Sequence, residues 1–120
     1  MNKQKFDFSI WEKNSARKSE EREKSRQFVL ERLDKALRVL SEKYVWHGIF
    51  LFGSVTREGA FHENSDVDIG IEGLDPLQHH EFVGELSRLL ERDVDVVLLE
   101  ECGFGDRIKK KGLKWLMKTV

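Results

Sequence analysis

The chain has 120 residues, of which 39% are hydrophobic and 36% are charged, and its formal net charge is −1. A chain of this length forms one domain, predicted here over residues 1–120, and a near-neutral charge disfavours a general nucleic-acid-binding protein. Cys102 is the only cysteine, which excludes an intramolecular disulfide, and the absence of a long apolar run or a signal-peptide pattern predicts a cytoplasmic protein without a membrane partner.

The N-terminal part of the chain is predicted to be helical. Ser9 and Glu12 have the spacing of a helix-capping box, and the residues from there to Arg26 are nearly all polar helix formers, which predicts a polar helical arm over residues 1–27. From Phe28 onward, apolar residues recur at spacings of three and four, as in a helix that packs on one face: Leu30, Leu33, Leu37, Leu40 and Tyr44. We expect this stripe to pack on the domain's own sheet, with a short coiled-coil seam as the alternative, and the polar arm to be a candidate partner contact.

Short apolar runs bounded by turn residues predict strands at residues 49–52, 67–71 and 93–99. Asp75 as N-cap and Pro76 in the first turn predict a helix that reaches residue 90 or 91. The end of the chain is predicted to form a glycine-rich turn and then a closing strand or packed tail. Together these elements predict a small α/β fold with a mixed sheet of three to four strands, helices on one face, the functional site toward the other face, and a long N-terminal helix.

The first two predicted strands carry the residues best suited to chemistry. Side chains alternate between faces along a strand, so Asp66 and Asp68 share one face, with their Cα atoms roughly 6.5 Å apart. Two carboxylates at that distance repel each other unless a cation lies between them, and Mg²⁺ binds one or two carboxylates together with substrate phosphates. Gly53 leaves room for a phosphate beside the backbone, and Ser54 adds a hydroxyl near a possible helix N-terminus. The pattern predicts a site for a nucleoside triphosphate.

These residues resemble a known signature. Gly53-Ser54, an eleven-residue loop and Asp66-Val67-Asp68 are similar to the motif of the polymerase-beta-like nucleotidyltransferase superfamily, and the run over residues 51–61 resembles its minimal nucleotidyltransferase branch. A loop of about ten residues is commoner in that motif, and we place the extra residue at 58–60. The resemblance covers most of residues 28–118, which it identifies as the catalytic core, and it implies the polymerase-beta-like nucleotidyltransferase fold.

A third carboxylate is expected on the third strand. The family pattern has an acidic residue near the start of that strand, and the resemblance implies that Asp95 accepts the proton of the acceptor hydroxyl and helps Asp66 and Asp68 bind metal. Asp93 lies on the same strand face and is the competing choice. In the loop, Arg57 could contact a triphosphate oxygen or pair with a neighbouring glutamate, and both interpretations stay open.

The resemblance implies transfer of a nucleoside monophosphate, with AMP from ATP favoured, to an acceptor hydroxyl, with one or two Mg²⁺ ions as cofactors. Only 25 residues follow Asp95, so we expect a partner or a second copy to complete the acceptor site. Minimal nucleotidyltransferases commonly work beside a HEPN-domain protein as a toxin–antitoxin pair, and some add AMP to a tyrosine of the toxin. Two alternatives stay open: a binding module that masks its partner without catalysis, and a dimeric small-molecule nucleotidyltransferase.

Overall fold

The structure is a computed structural model that describes residues 8–57, 60–61 and 65–115, with residues 8–19 described by their backbone alone. The helices of the described part are α1 (Phe8–Leu40), α2 (His79–Leu90) and α3 (Gly105–Lys111), and the strands are β1 (Gly48–Phe52), β2 (Val67–Glu72), β3 (Val94–Leu98) and β4 (Leu113–Lys114). Short 3₁₀ helices cover Gly53–Thr56, Pro76–Gln78 and Leu99–Glu101. The residues at either end of the predicted domain, 1–7 and 116–120, lie outside the described residues.

The strands form a mixed sheet, as the sequence predicts, and their order is β3-β2-β1-β4. β1 is antiparallel to both β2 and β4, and β2 is parallel to β3. Asp68 therefore has Phe52 opposite it on one side and Asp95 opposite it on the other. This register places the second aspartate of the motif in the middle of the sheet.

One face of the sheet packs against α1 and α2, and we call it the packed face. Its core consists of aliphatic and aromatic side chains that water does not reach, among them Leu37, Ile49, Ile69, Phe82 and Leu86. The stripe predicted on the first helix is confirmed, since Leu33, Leu37, Leu40 and Tyr44 are buried and Leu30 packs against them. Long-range burial of this kind, rather than helix propensity, stabilises the domain.

Tyr44 and Glu85 join the end of α1 to α2. The Tyr44 hydroxyl donates a hydrogen bond to Glu85, and Lys43 donates a second one at 2.7 Å. Burial, and then the bond to Glu85, raise the pKa of Tyr44, while the bonds from Lys43 and Tyr44 lower the pKa of Glu85. The helix itself ends at Leu40, so Tyr44 belongs to the turn that follows it.

The structure contradicts one prediction about the helix ends and confirms another. The first helix begins at Phe8, one residue before Ser9, so Ser9 lies within the helix rather than at its N-cap. The polar arm and the apolar stripe form one continuous helix because no glycine or proline interrupts them. The Asp75 side chain does cap the next helical segment, accepting a hydrogen bond of 3.0 Å from the amide of Leu77.

The other face of the sheet, which we call the site face, is partly covered by α3. The prediction placed helices on one face only, and the structure corrects this. Ile108 of α3 and Leu99 pack on Phe50 and approach Gly70 so closely that a Cβ there would lie 2.7 Å from Leu99 Cδ2 and 3.1 Å from Ile108 Cγ2. Among residues 105–111, Ile108 is the one large apolar residue, so no periodic pattern could reveal this packing.

Within the described ranges no helix is long and apolar enough to cross a membrane. The cytoplasmic location stays a prediction.

Candidate active site

The turn after β1 depends on a glycine that lies against an aspartate. Gly53 has φ +77°, and a Cβ at this position would lie only 2.2 Å from Asp68 Oδ2. A side chain there would therefore meet both backbone strain and a direct clash. The turn continues as the 3₁₀ helix Gly53–Thr56, in which the Thr56 hydroxyl donates a hydrogen bond of 2.7 Å to the Gly53 carbonyl. The glycine predicted to bind phosphate thus brings bare backbone beside a carboxylate.

The three predicted aspartates lie at one end of the β2–β3 strand pair. Asp68 is half-buried within β2 and is in register with Asp95 on β3, while Asp66 is exposed one residue before β2 begins. Burial raises the pKa of Asp68, and the negative charges of Asp95 and Asp66 raise it further. The site therefore carries an electrostatic conflict that a positive charge would relieve.

The structure distinguishes the two candidates for the third carboxylate. Asp95 pairs with Asp68 in the parallel ladder and contributes to its raised pKa. Asp93 precedes β3, and its carbonyl accepts a hydrogen bond of 3.2 Å from the amide of Val67. This geometry favours Asp95 for the third position, and its catalytic role stays a prediction.

The donor set suits a metal that needs few protein ligands. Among residues 8–57, 60–61 and 65–115, no group of three or more His, Cys, Asp or Glu side chains is arranged to hold a metal ion. Mg²⁺ requires only one or two protein carboxylates and takes its remaining ligands from phosphates and water. The mutual repulsion at Asp68 and the bare backbone at Gly53 fit such an ion together with a phosphate chain. The assignment of Asp66, Asp68 and Asp95 as a joint metal set stays a prediction.

A cleft of about 570 Å³ opens beside Gly53 on the site face. Its walls combine apolar side chains with positive ones, a composition suited to a nucleotide with an aromatic base and a charged phosphate chain. The apolar side chains are Phe52, Phe104, Ile108 and Leu113, and the positive ones are Arg57, Arg107 and Lys111. Arg57 lines the cleft, and its contact with a triphosphate oxygen stays a prediction, whereas Ser54 is half-buried and does not line the cleft.

Phe104, Arg107 and Lys111 are candidate binding residues that the sequence reasoning did not select. Arg107 and Lys111 are four residues apart on α3 and therefore lie on the same side of the helix. That spacing is the signal that could have found them. The neighbouring Lys109 points elsewhere, since its ammonium donates a hydrogen bond of 2.6 Å to Glu72 Oε2. The extra loop residue is predicted at 58–60, and residues 58 and 59 of that range lie outside the described residues.

Paired carboxylates, a glycine turn and a cationic cleft on an open sheet face are the parts of a nucleotide-handling transferase. Residues 33–115 match the family model described as nucleotidyltransferase domain, and the chain belongs to this family. This confirms the resemblance drawn from Gly53-Ser54 and Asp66-Val67-Asp68.

One solved structure supports the same fold. The chain is similar to a chain of the structure described as "Crystal structure of the toxin-antitoxin with AMP-PNP", with a TM-score of 0.59 and 26% sequence identity over 72% of this chain and 74% of that chain. Among curated proteins, no sequence matches this chain.

Proposed function

We propose that the chain transfers AMP from Mg-ATP to a hydroxyl of a partner protein, and that it acts as the antitoxin of a pair with a HEPN-domain toxin. Family membership supports nucleotide transfer, and the similar solved structure is of a toxin–antitoxin with an ATP analogue. The observation that carries the proposal is the close approach of Asp68 to the backbone of Gly53, a residue that lines the cationic cleft.

The cleft binds the nucleotide. Arg57, Arg107 and Lys111 bring positive charge to the triphosphate, and the half-exposed ring of Phe104 offers an apolar surface for the base. Because the backbone at Gly53 carries no side chain, the phosphates can approach the carboxylates closely. Catalysis on this site is mainly positioning and charge stabilisation.

Asp66 and Asp68 hold Mg²⁺, which when bound neutralises phosphate charge and aligns the phosphates for attack. Asp95 accepts the proton of the acceptor hydroxyl. The acceptor oxygen then forms a bond to the α-phosphorus, the bond from that phosphorus to the bridging oxygen breaks, and pyrophosphate leaves. The acceptor comes from the partner protein, and a tyrosine hydroxyl is the expected group.

The experiment incubates the purified chain with ATP labelled at the α-phosphate and Mg²⁺, with and without the HEPN-type product of a neighbouring gene. Label should appear on that product only when the wild-type chain is present with it. Asp66→Ala combined with Asp68→Ala should abolish labelling and leave the complex intact. Asp95→Asn and Asp93→Asn form a matched pair, of which only the first should abolish transfer.

The contact-only alternative is that the chain masks its partner without transferring a nucleotide. It predicts a tight complex that neutralises the toxin equally well after the double aspartate substitution. That result without any labelling would overturn the catalytic proposal. Label on a small metabolite in the absence of any partner would instead indicate a small-molecule nucleotidyltransferase.

A further inference from the structure

The loop that joins the glycine turn to the aspartates is held at both ends by arginines from outside it. The loop spans residues 55–65. The carbonyl of its first residue, Val55, accepts a hydrogen bond of 2.8 Å from Arg26 Nε on α1. The carbonyl of its last residue, Ser65, accepts a hydrogen bond of 2.9 Å from Arg92 Nη1, which lies between α2 and β3.

The bond from Arg26 holds the 3₁₀ turn Gly53–Thr56 from the side of α1. The Arg26 side chain is only 14% exposed, and Glu23 orients it by accepting a hydrogen bond of 2.9 Å from Nη1. Glu23 is held in turn by Gln27, whose amide donates to the same oxygen at 2.9 Å. Val55 is fully buried and lies two residues from Gly53, so a shift of its carbonyl would move the backbone that contacts Asp68.

The Arg92 bond lies directly before the first aspartate. The guanidinium carbon of Arg92 is 4.7 Å from the centroid of the Phe61 ring, and Phe61 is fully buried. Arg92 thus contacts the loop at both Phe61 and Ser65. Because Ser65 precedes Asp66 and Arg92 lies three positions before Asp95, this side chain connects two of the catalytic candidates.

We propose that Arg26 and Arg92 are positioning residues that set the distance between the Gly53-Ser54 turn and the Asp66–Asp68 pair by anchoring the two ends of the loop. The inference rests on the proposed function for its catalytic consequence. Neither arginine touches substrate; each acts through a backbone carbonyl. Arg26 should therefore govern nucleotide binding at the turn, and Arg92 should govern the chemical step at the aspartates.

Arg32 offers a matched control on the same helix as Arg26. Its Nη2 donates a hydrogen bond of 2.8 Å to the Leu89 carbonyl near the end of α2, and its Nη1 donates one of 3.2 Å to Glu91 Oε2, both outside the loop and the cleft. Arg32→Met therefore removes the same kind of bond to a carbonyl, together with an exposed ion pair, and removes no bond to the loop carbonyls. Arg26→Met, Arg92→Met and Arg32→Met would be compared by melting temperature, amide hydrogen exchange over residues 55–65, affinity for Mg-AMP-PNP, and the kcat and KM of AMP transfer.

We expect Arg26→Met to weaken Mg-AMP-PNP binding and raise the KM for ATP by about tenfold, as the loss of a shielded charged hydrogen bond implies. Arg92→Met should lower kcat by about ten- to a hundredfold, because small misplacement of reacting groups is costly. Both should speed exchange in the loop. Arg26→Lys should restore most of the affinity, since an ammonium can also donate to a carbonyl, and Arg32→Met should change the melting temperature alone.

The inference is overturned if Arg26→Met and Arg92→Met resemble Arg32→Met in loop exchange and in nucleotide affinity or turnover. If a methionine variant does not fold, Arg26→Gln and Arg92→Gln carry the comparison, because their shorter, uncharged side chains weaken the bond to the loop carbonyl. A wild-type chain that binds no Mg-nucleotide would overturn the proposed function instead. Loop exchange would then still decide the anchoring, since it needs no nucleotide.

Discussion

The two faces of the sheet are built for different purposes. On the packed face, α1 and α2 exclude water from a continuous apolar core that includes Ile69 and Phe82. On the site face, α3 covers only the small cluster of Phe50, Leu99 and Ile108, and Asp68 beside it stays half-buried.

The contrast shows how 120 residues can support both stability and a charged site. Burial of apolar area stabilises a fold in proportion to the area removed from water, whereas a buried carboxylate without a partner is destabilising. Asp68 already has a raised pKa because of partial burial and neighbouring charges. We therefore expect substitutions on the packed face to change stability and substitutions on the site face to change activity.

Asp68→Asn should have the largest effect, and it should change activity and stability in opposite directions. Loss of the carboxylate should reduce nucleotide transfer by about a thousandfold or more, because the metal loses a ligand. The raised pKa means that ionised Asp68 destabilises the folded state as the pH rises through that pKa, so the variant should melt at a higher temperature than the wild type at neutral pH without metal. Asp106→Asn, at an exposed position on α3, is the control, and a lower melting temperature for Asp68→Asn would contradict the argument.

Phe82→Ala tests the packed face. The Phe82 ring makes edge-on contacts with Tyr44 at 5.4 Å and Trp46 at 5.9 Å between centroids. Its removal should lower the free energy of unfolding by about 3–5 kcal/mol, measured by urea denaturation. Phe104→Ala, on the half-exposed ring beside the cleft, should have little effect on stability and should weaken nucleotide binding. Equal destabilisation by both would remove the distinction between the faces.

Gly53→Ala and Gly84→Ala should change the stability of the protein in opposite directions. Because Gly53 has a positive φ and lies close to Asp68, an alanine there should destabilise the protein by about 2 kcal/mol. Its Cβ should also displace the Asp68 carboxylate, with loss of activity. At Gly84, within α2, an added Cβ meets no atom within 4 Å, and alanine should stabilise the helix by up to about 1 kcal/mol. Thermal unfolding of both variants measures the two effects. A Gly53→Ala variant with the melting temperature of the wild type would contradict the tight turn at this position.

Arg107→Met should sharpen the assignment of the cleft. We expect the KM for ATP to rise about five- to tenfold, and the difference from the wild type to shrink at high salt because the lost contact is electrostatic. Lys110→Met on the same helix, whose side chain does not line the cleft, should leave the KM unchanged. Similar values for the two variants would indicate a diffuse charge effect.

The smallest expected effect is on the pH dependence of stability, and it concerns Glu85 on α2, a helix of the packed face. Bonds from Lys43 and Tyr44 lower the pKa of Glu85, so its contribution to stability is present above the ordinary glutamate pKa and is lost as the pH falls through the lowered value. Glu85→Gln should therefore flatten the acid side of the melting-temperature profile by a small amount. Activity at neutral pH should not change, and a change there would connect this cluster to the site.

The sequence by itself determined the features that depend on local patterning. Strand alternation predicts Asp66 and Asp68 on one face, helical spacing identified the buried stripe from Leu33 to Tyr44, and the Asp75-Pro76 pair marked a helix start. The glycine turn before the paired aspartates was sufficient to indicate the nucleotidyltransferase family. These features could be predicted because each is set by residues within a few positions of one another.

Only the tertiary structure decided which distant residues meet at the site. The register of the parallel strands brings Asp95, rather than Asp93, beside Asp68. The packing of one isoleucine places α3 on the site face, which brings Arg107 to the cleft beside Gly53, and the contact from Arg26 on α1 reaches the loop from 29 residues away. Register and long-range packing depend on the free energy of the whole fold, so they cannot be predicted from a local pattern of residues.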